Sequence, residues 1–99
     1  MLNSTAREIL ASLHSILPEL GERYSVASLE FFGSYVQSRQ RPGSDVDLLV
    51  EFRKTPGLLT FLALERELSE RLGRQVDLVQ KEAVRRRIGR AILAEAVPV

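Results

Sequence analysis

Three aspartates carry the chemistry that this 99-residue chain can offer. Asp45 and Asp47 stand one residue apart at the head of the apolar run Val46-Asp47-Leu48-Leu49-Val50-Glu51-Phe52, and Asp77 sits inside Gln75-Val76-Asp77-Leu78-Val79. Side chains two apart on a strand point the same way, so Asp45 and Asp47 share a face. Val46, Leu48, Val50 and Phe52 take the opposite, core-facing side, and Val76 and Leu78 alternate with Asp77 in the same manner. If both strands bury their aliphatic residues under the same helices, the three carboxylates converge on one open face. Like charges raise one another's pKa, and a divalent cation removes that cost. Mg2+ takes oxygen ligands, one or two of them carboxylates, with substrate phosphates and water completing its shell. A pair of such ions can clamp the attacking and leaving oxygens of a phosphoryl displacement. The plainer reading of an aspartate entering a strand after Pro42-Gly43-Ser44 is turn chemistry. The alternation in both strands favours the site.

Gly33 and Ser34 close the preceding apolar run. A glycine followed by a serine at a helix start leaves free amides, room for a phosphate and a hydroxyl donor. The same two residues also describe an ordinary serine N-cap.

The elements that position these residues follow from periodicity. Residues 5–20 read as a helix, with Thr5 and Glu8 in a capping-box pattern and Gly21 as its stop. Residues 26–32 form a strand, a short helix opens at Ser34 and fades before Arg41-Pro42-Gly43, and residues 46–52 form a second strand. A long helix follows to Leu72, then a third strand over 75–79, then a last helix from Glu82 to Ala96 with Val84, Ile88 and Ile92 along a stripe. The order α-β-α-β-α-β-α predicts an α/β (α+β) domain spanning residues 1–99, with a small mixed three-stranded sheet and helices mainly on one face.

Composition narrows the class. A net charge of +1 gives no global attraction for nucleic acid. There is no cysteine and a single histidine, His14, so neither a disulfide framework nor a thiol or histidine metal cluster is available. No apolar run reaches membrane-spanning length, and a cytoplasmic location fits. Residues 81–90 carry a net +4, which reads first as a solvated helix face and second as a contact for triphosphate or an acidic partner. Tyr35 reads as a space-filler beside the first strand, with stacking on a base as the other reading. Leu49 and Val79, on the carboxylate side, pack under the terminal helix, floor a nucleotide pocket or meet a partner.

Gly33-Ser34, ten residues, Asp45-Val46-Asp47 and the later Asp77 together resemble the nucleotidyltransferase superfamily that includes DNA polymerase β. The short length and the ending ILAEAVPV resemble its minimal branch, the MntA-like antitoxins. The resemblance implies that Gly33 and Ser34 bind the nucleotide, that Asp45 and Asp47 bind two Mg2+ ions, and that Asp77 completes the metal site and helps deprotonate an acceptor hydroxyl. It implies transfer of a nucleoside monophosphate, AMP from ATP, to a tyrosine of a HEPN-domain toxin, with which the chain would assemble as antitoxin. One segment departs from the family pattern: Val36-Gln37-Ser38 stands where members commonly carry Ala-Arg-Gly. Arg39 and Arg41 offer charge nearby but at shifted positions. The alternative is therefore a catalytically degenerate antitoxin that neutralises its HEPN partner by binding alone. A metal-dependent nuclease or phosphatase, and transfer to an antibiotic hydroxyl, are weaker readings.

Overall fold

The structure, a computed structural model, describes residues 2–86 and 89–99, and of Arg86 the backbone only. Helix α1 spans Ser4–Tyr24, followed by strands β1 (Val26–Phe32) and β2 (Val46–Phe52), helix α2 (Leu58–Leu72), strand β3 (Val76–Gln80), helices α3 (Lys81–Arg86) and α4 (Arg90–Glu95), and strand β4 (Val97–Pro98). The sheet order is β3-β2-β1-β4. β1 runs antiparallel to β2 and to β4, and β2 runs parallel to β3. The class is the expected mixed α/β, with one strand more than the sequence pattern shows.

The core lies between the sheet and the helices α1 and α2. Ala6, Ile9, Leu13 and Leu20 of α1 and Leu64 and Leu68 of α2 meet Leu29, Phe31, Val46, Leu48, Val50, Val76 and Leu78. The aliphatic residues of β2 and β3 therefore do share one face, as their alternation requires. Leu49 is buried too, but outside this cluster. It pairs across the sheet with Glu30, whose carboxylate is bonded to Lys81 of α3. Helix α3 thus lies on the second face, where it meets β2 and β3.

Four local readings change. The N-cap of α1 is Asn3, whose Oδ1 accepts from the Ala6 amide at 2.9 Å, so Thr5 lies within the first turn and the Thr5–Glu8 box does not form. The helix also runs through Gly21 to Tyr24 and ends at Ser25 in the left-handed conformation (φ 59°). Gly21 lies inside the helix where β1 comes close: a Cβ there would stand 3.3 Å from the Val26 carbonyl oxygen. After Gly33 there is one turn, not a helix. Gln37 N–H bonds to the Gly33 carbonyl at 3.1 Å and Arg39 N–H to that of Ser34 at 2.8 Å. Ser38 then takes φ 57°, which stops further helical growth.

The single last helix is two short ones. Gly89 packs on the Val84 backbone, where a Cβ would lie 2.9 Å from the Val84 carbonyl carbon. The expected stripe position Ile88 and the basic Arg87 lie outside the described residues, as does the Arg86 side chain. After Ala96 the chain turns extended, because Pro98 holds its predecessor out of the helical region. Val97 and Pro98 then pair with Phe31 and Glu30 on the β1 edge, where a proline can be accommodated.

Candidate active site

Strand register gathers the sequence-predicted residues. Asp47 pairs with Asp77 across the parallel β2–β3 ladder and with Phe32 across β1–β2. Asp45 stands just before β2, behind the turn Arg41–Ser44, in which the Ser44 amide bonds to the Arg41 carbonyl at 2.9 Å. Gly43 takes φ 85° there, a conformation that glycine adopts without steric cost. Asp45 and Asp77 are exposed and Asp47 is half-buried.

Gly33 stands against Asp47. Its φ is 83°, and a Cβ added to it would come 2.9 Å from the Asp47 Cγ. Two separate constraints therefore require glycine: the backbone angle and the carboxylate packed on it. Ser34, half-buried, follows directly.

The electrostatics of this cluster are unbalanced. Burial, then the charges of Asp77 and Asp45, push the Asp47 carboxyl up to about 6. Among the described residues no lysine or arginine pairs with Asp45, Asp47 or Asp77. Of the basic run on α3, Lys81 bonds to Glu30 and lies 3.6 Å from Glu51, and Arg85 lies 3.6 Å from Glu51. Two members of the basic run are thus ties between α3 and the sheet rather than a free patch. An oxygen donor set without a protein cation fits a hard divalent ion. Among the described residues no group of three or more acidic or histidine side chains is close enough to hold an ion unaided. The donor set is therefore one that substrate phosphates and water would complete, as Mg2+ commonly requires.

The departing segment has definite roles. Val36 packs against the core cluster. Gln37 Nε2 donates to Glu95 Oε2 of α4 at 2.5 Å. Ser38 holds the left-handed angle at the position where the family glycine is expected. His14 lies 2.9 Å from the Val99 carbonyl oxygen through Nδ1, remote in role from the carboxylates. Sequence reasoning missed Arg74 and Ser44, which bracket the Tyr35 hydroxyl beneath the site. Nothing local marks them, because their contact joins residues far apart in sequence.

A strand-to-turn glycine and serine facing strand-borne carboxylates on a small mixed sheet define a nucleotidyltransferase architecture. The Nucleotidyltransferase domain family matches residues 13–98, and the chain belongs to that family, as a minimal nucleotidyltransferase. It is 42% identical over 95 residues to the protein adenylyltransferase MntA of Thermococcus cleftensis, covering 96% of each chain. It is similar to a solved structure provisionally assigned as a minimal nucleotidyltransferase, with TM-score 0.77, 31% identity and 95% of each chain covered. A toxin–antitoxin crystal structure with AMP-PNP gives TM-score 0.56 at 28% identity, over 81% of this chain and 57% of that one.

Proposed function

We propose that this chain transfers AMP from ATP to a tyrosine hydroxyl of a HEPN-domain toxin in the cytoplasm, and so acts as its antitoxin. The observation that carries this reading is the pairing of Asp47 with Asp77 beside Gly33, with Asp45 just before β2 and, among the described residues, no lysine or arginine paired with these carboxylates. The protein adenylyltransferase relative supports the reaction, and the toxin–antitoxin neighbour with AMP-PNP supports a toxin as the partner.

In this reading Gly33 leaves space for the triphosphate against the backbone, and the Ser34 hydroxyl donates to a phosphate oxygen. Asp45 and Asp47 would hold two Mg2+ ions, with Asp77 completing the set. When bound, the ions neutralise phosphate charge and stabilise the attacking and leaving oxygens. The tyrosine oxygen attacks the α-phosphorus, the bond to the bridging oxygen breaks, and pyrophosphate leaves. Asp77, exposed on the open side of β3, accepts the hydroxyl proton and passes it to solvent. Catalysis of this kind is mainly positioning and charge stabilisation.

The second reading is neutralisation by binding alone. Gln37 favours it, since the residue at the family's arginine position is engaged with Glu95 and carries no charge. Co-expression of the partner with the wild-type chain or with Asp45→Asn/Asp47→Asn separates the two. Transfer predicts rescue by the wild type only, with the partner's mass raised by AMP units. Equal rescue by the double variant, with the partner's mass unchanged, would sink the transferase reading in favour of the second.

A further inference from the structure

Tyr35 follows Ser34 directly, and its side chain packs into the core rather than lying free. The residue is 2% exposed, and its ring tilts against Phe31 with centroids 6.2 Å apart. Its hydroxyl accepts a hydrogen bond from Arg74 Nη1 at 3.0 Å and donates, at a long 3.5 Å, to the Ser44 carbonyl. The Arg74 guanidinium carbon also lies 5.7 Å from the ring centroid. The three segments that meet at this one oxygen are the three that carry the site. Ser34 precedes Tyr35, Asp45 follows Ser44, and Asp77 lies at the start of the strand that Arg74 leads into.

The polarity of the chain of bonds is consistent. Arginine can only donate, so the phenol oxygen accepts from it and is left with its own proton for the carbonyl. A cationic donor strengthens that donation, because hydrogen bonds in series polarise one another. Arg74 is itself fixed: its amide bonds to the Ser69 carbonyl at the end of α2 at 3.2 Å, and the next carbonyl, of Gln75, accepts from Val46 N–H at 2.8 Å. The junction therefore ties the β2 entrance to the β3 entrance a second time, below the ladder that pairs Asp47 with Asp77.

We propose that Tyr35 is a positioning residue, whose hydroxyl sets the Ser34, Asp45 and Asp77 segments in one register for binding of a divalent cation with a nucleoside triphosphate. The proposal rests on the nucleotidyl-transfer reading for its ligand, but not for its geometry. Tyr35→Phe keeps the ring and removes the junction. Arg74→Met removes the donor from an exposed residue without touching the core. In the metal-free 15N-labelled chain, both variants shift the amides around Ser44–Asp47 and those around Arg74–Asp77 together. For Mn2+ with a non-hydrolysable ATP analogue, each weakens binding about three- to tenfold, the worth of one hydrogen bond. The double variant binds no more weakly than the worse single. A merely structural tyrosine would lower the melting temperature and leave the affinity of the folded molecule unchanged. Shifts confined to residues 31–36, unchanged affinity, or losses that multiply in the double variant would overturn the proposal. If the wild type itself binds no nucleotide, the transferase reading fails, and the amide shifts still decide whether Tyr35 couples the two segments.

Discussion

Asp47→Asn is expected to stabilise the metal-free protein while removing its function. An ordinary aspartate titrates near 3.8, and Asp47 is pushed up to about 6 by burial and by the neighbouring charges of Asp77 and Asp45. Folding therefore holds a proton that the unfolded chain gives up as pH rises from about 4 to about 6. Stability falls across that window, and the full penalty is present above it. Two units at 1.36 kcal/mol each would be roughly 3 kcal/mol, but the side chain is half-exposed, and solvent screening reduces this to about 1 kcal/mol. Removing the charge in an isosteric side chain should raise the melting temperature at pH 7.5 by roughly 5 °C in a domain of this size. At pH 3.5 the difference should nearly vanish, because the wild-type carboxyl is protonated in the folded state and mostly protonated in the unfolded one. Adding Mg2+ with an ATP analogue at pH 7.5 should reverse the order, since only the wild type gains from binding. Thermal melts at several pH values, with and without the ligand, check all three points. An Asp47→Asn chain less stable than the wild type at pH 7.5, or a difference that persists unchanged at pH 3.5, would refute the electrostatic argument.

Ser38→Gly should stabilise by about 0.5–1 kcal/mol, the left-handed penalty of a side chain less the extra entropy of glycine, and a thermal melt checks it. Gly33→Ala should cost roughly 2 kcal/mol or more, from backbone strain and from the clash with Asp47, and should abolish nucleotide binding measured by calorimetry. Lys81→Met should cost about 2 kcal/mol by leaving Glu30, only 13% exposed at its side chain, without its cation. Adding Glu30→Gln to it should recover part of that loss in a denaturant titration.

The strands β1 and β2 were legible residue for residue, because alternating burial leaves a direct mark in Val46-Asp47-Leu48 and its neighbours. The facing of Asp47 and Asp77 followed from the same alternation, and Gly33 from its place at a strand end. The C-terminal segment was harder. Ala91 to Ala96 favour helix locally, but the pairing of Val97 and Pro98 is decided by the free edge of β1, far back in the chain. The cap of α1 went to Asn3 over Thr5 by a choice of two residues, within the range in which sequence patterns lose resolution. The Tyr35–Arg74–Ser44 junction had no local signal, since its members are brought together by the finished fold. For the same reason, the burial that raises the Asp47 pKa could be argued only after Phe32 and Gly33 were placed beside it.

In the proposed reaction the Gly33-Ser34 turn and the three aspartates pass a nucleoside monophosphate to the partner. Parallel incubations of the chain and its partner with Mg2+ and ATP labelled at either the α- or the γ-phosphate test it most directly. The expected result is covalent α-label on the partner, γ-label released as pyrophosphate, and loss of both in Asp45→Asn/Asp47→Asn. Transfer of the γ-label, release of inorganic phosphate without labelled partner, or α-labelling that survives the double variant would contradict it.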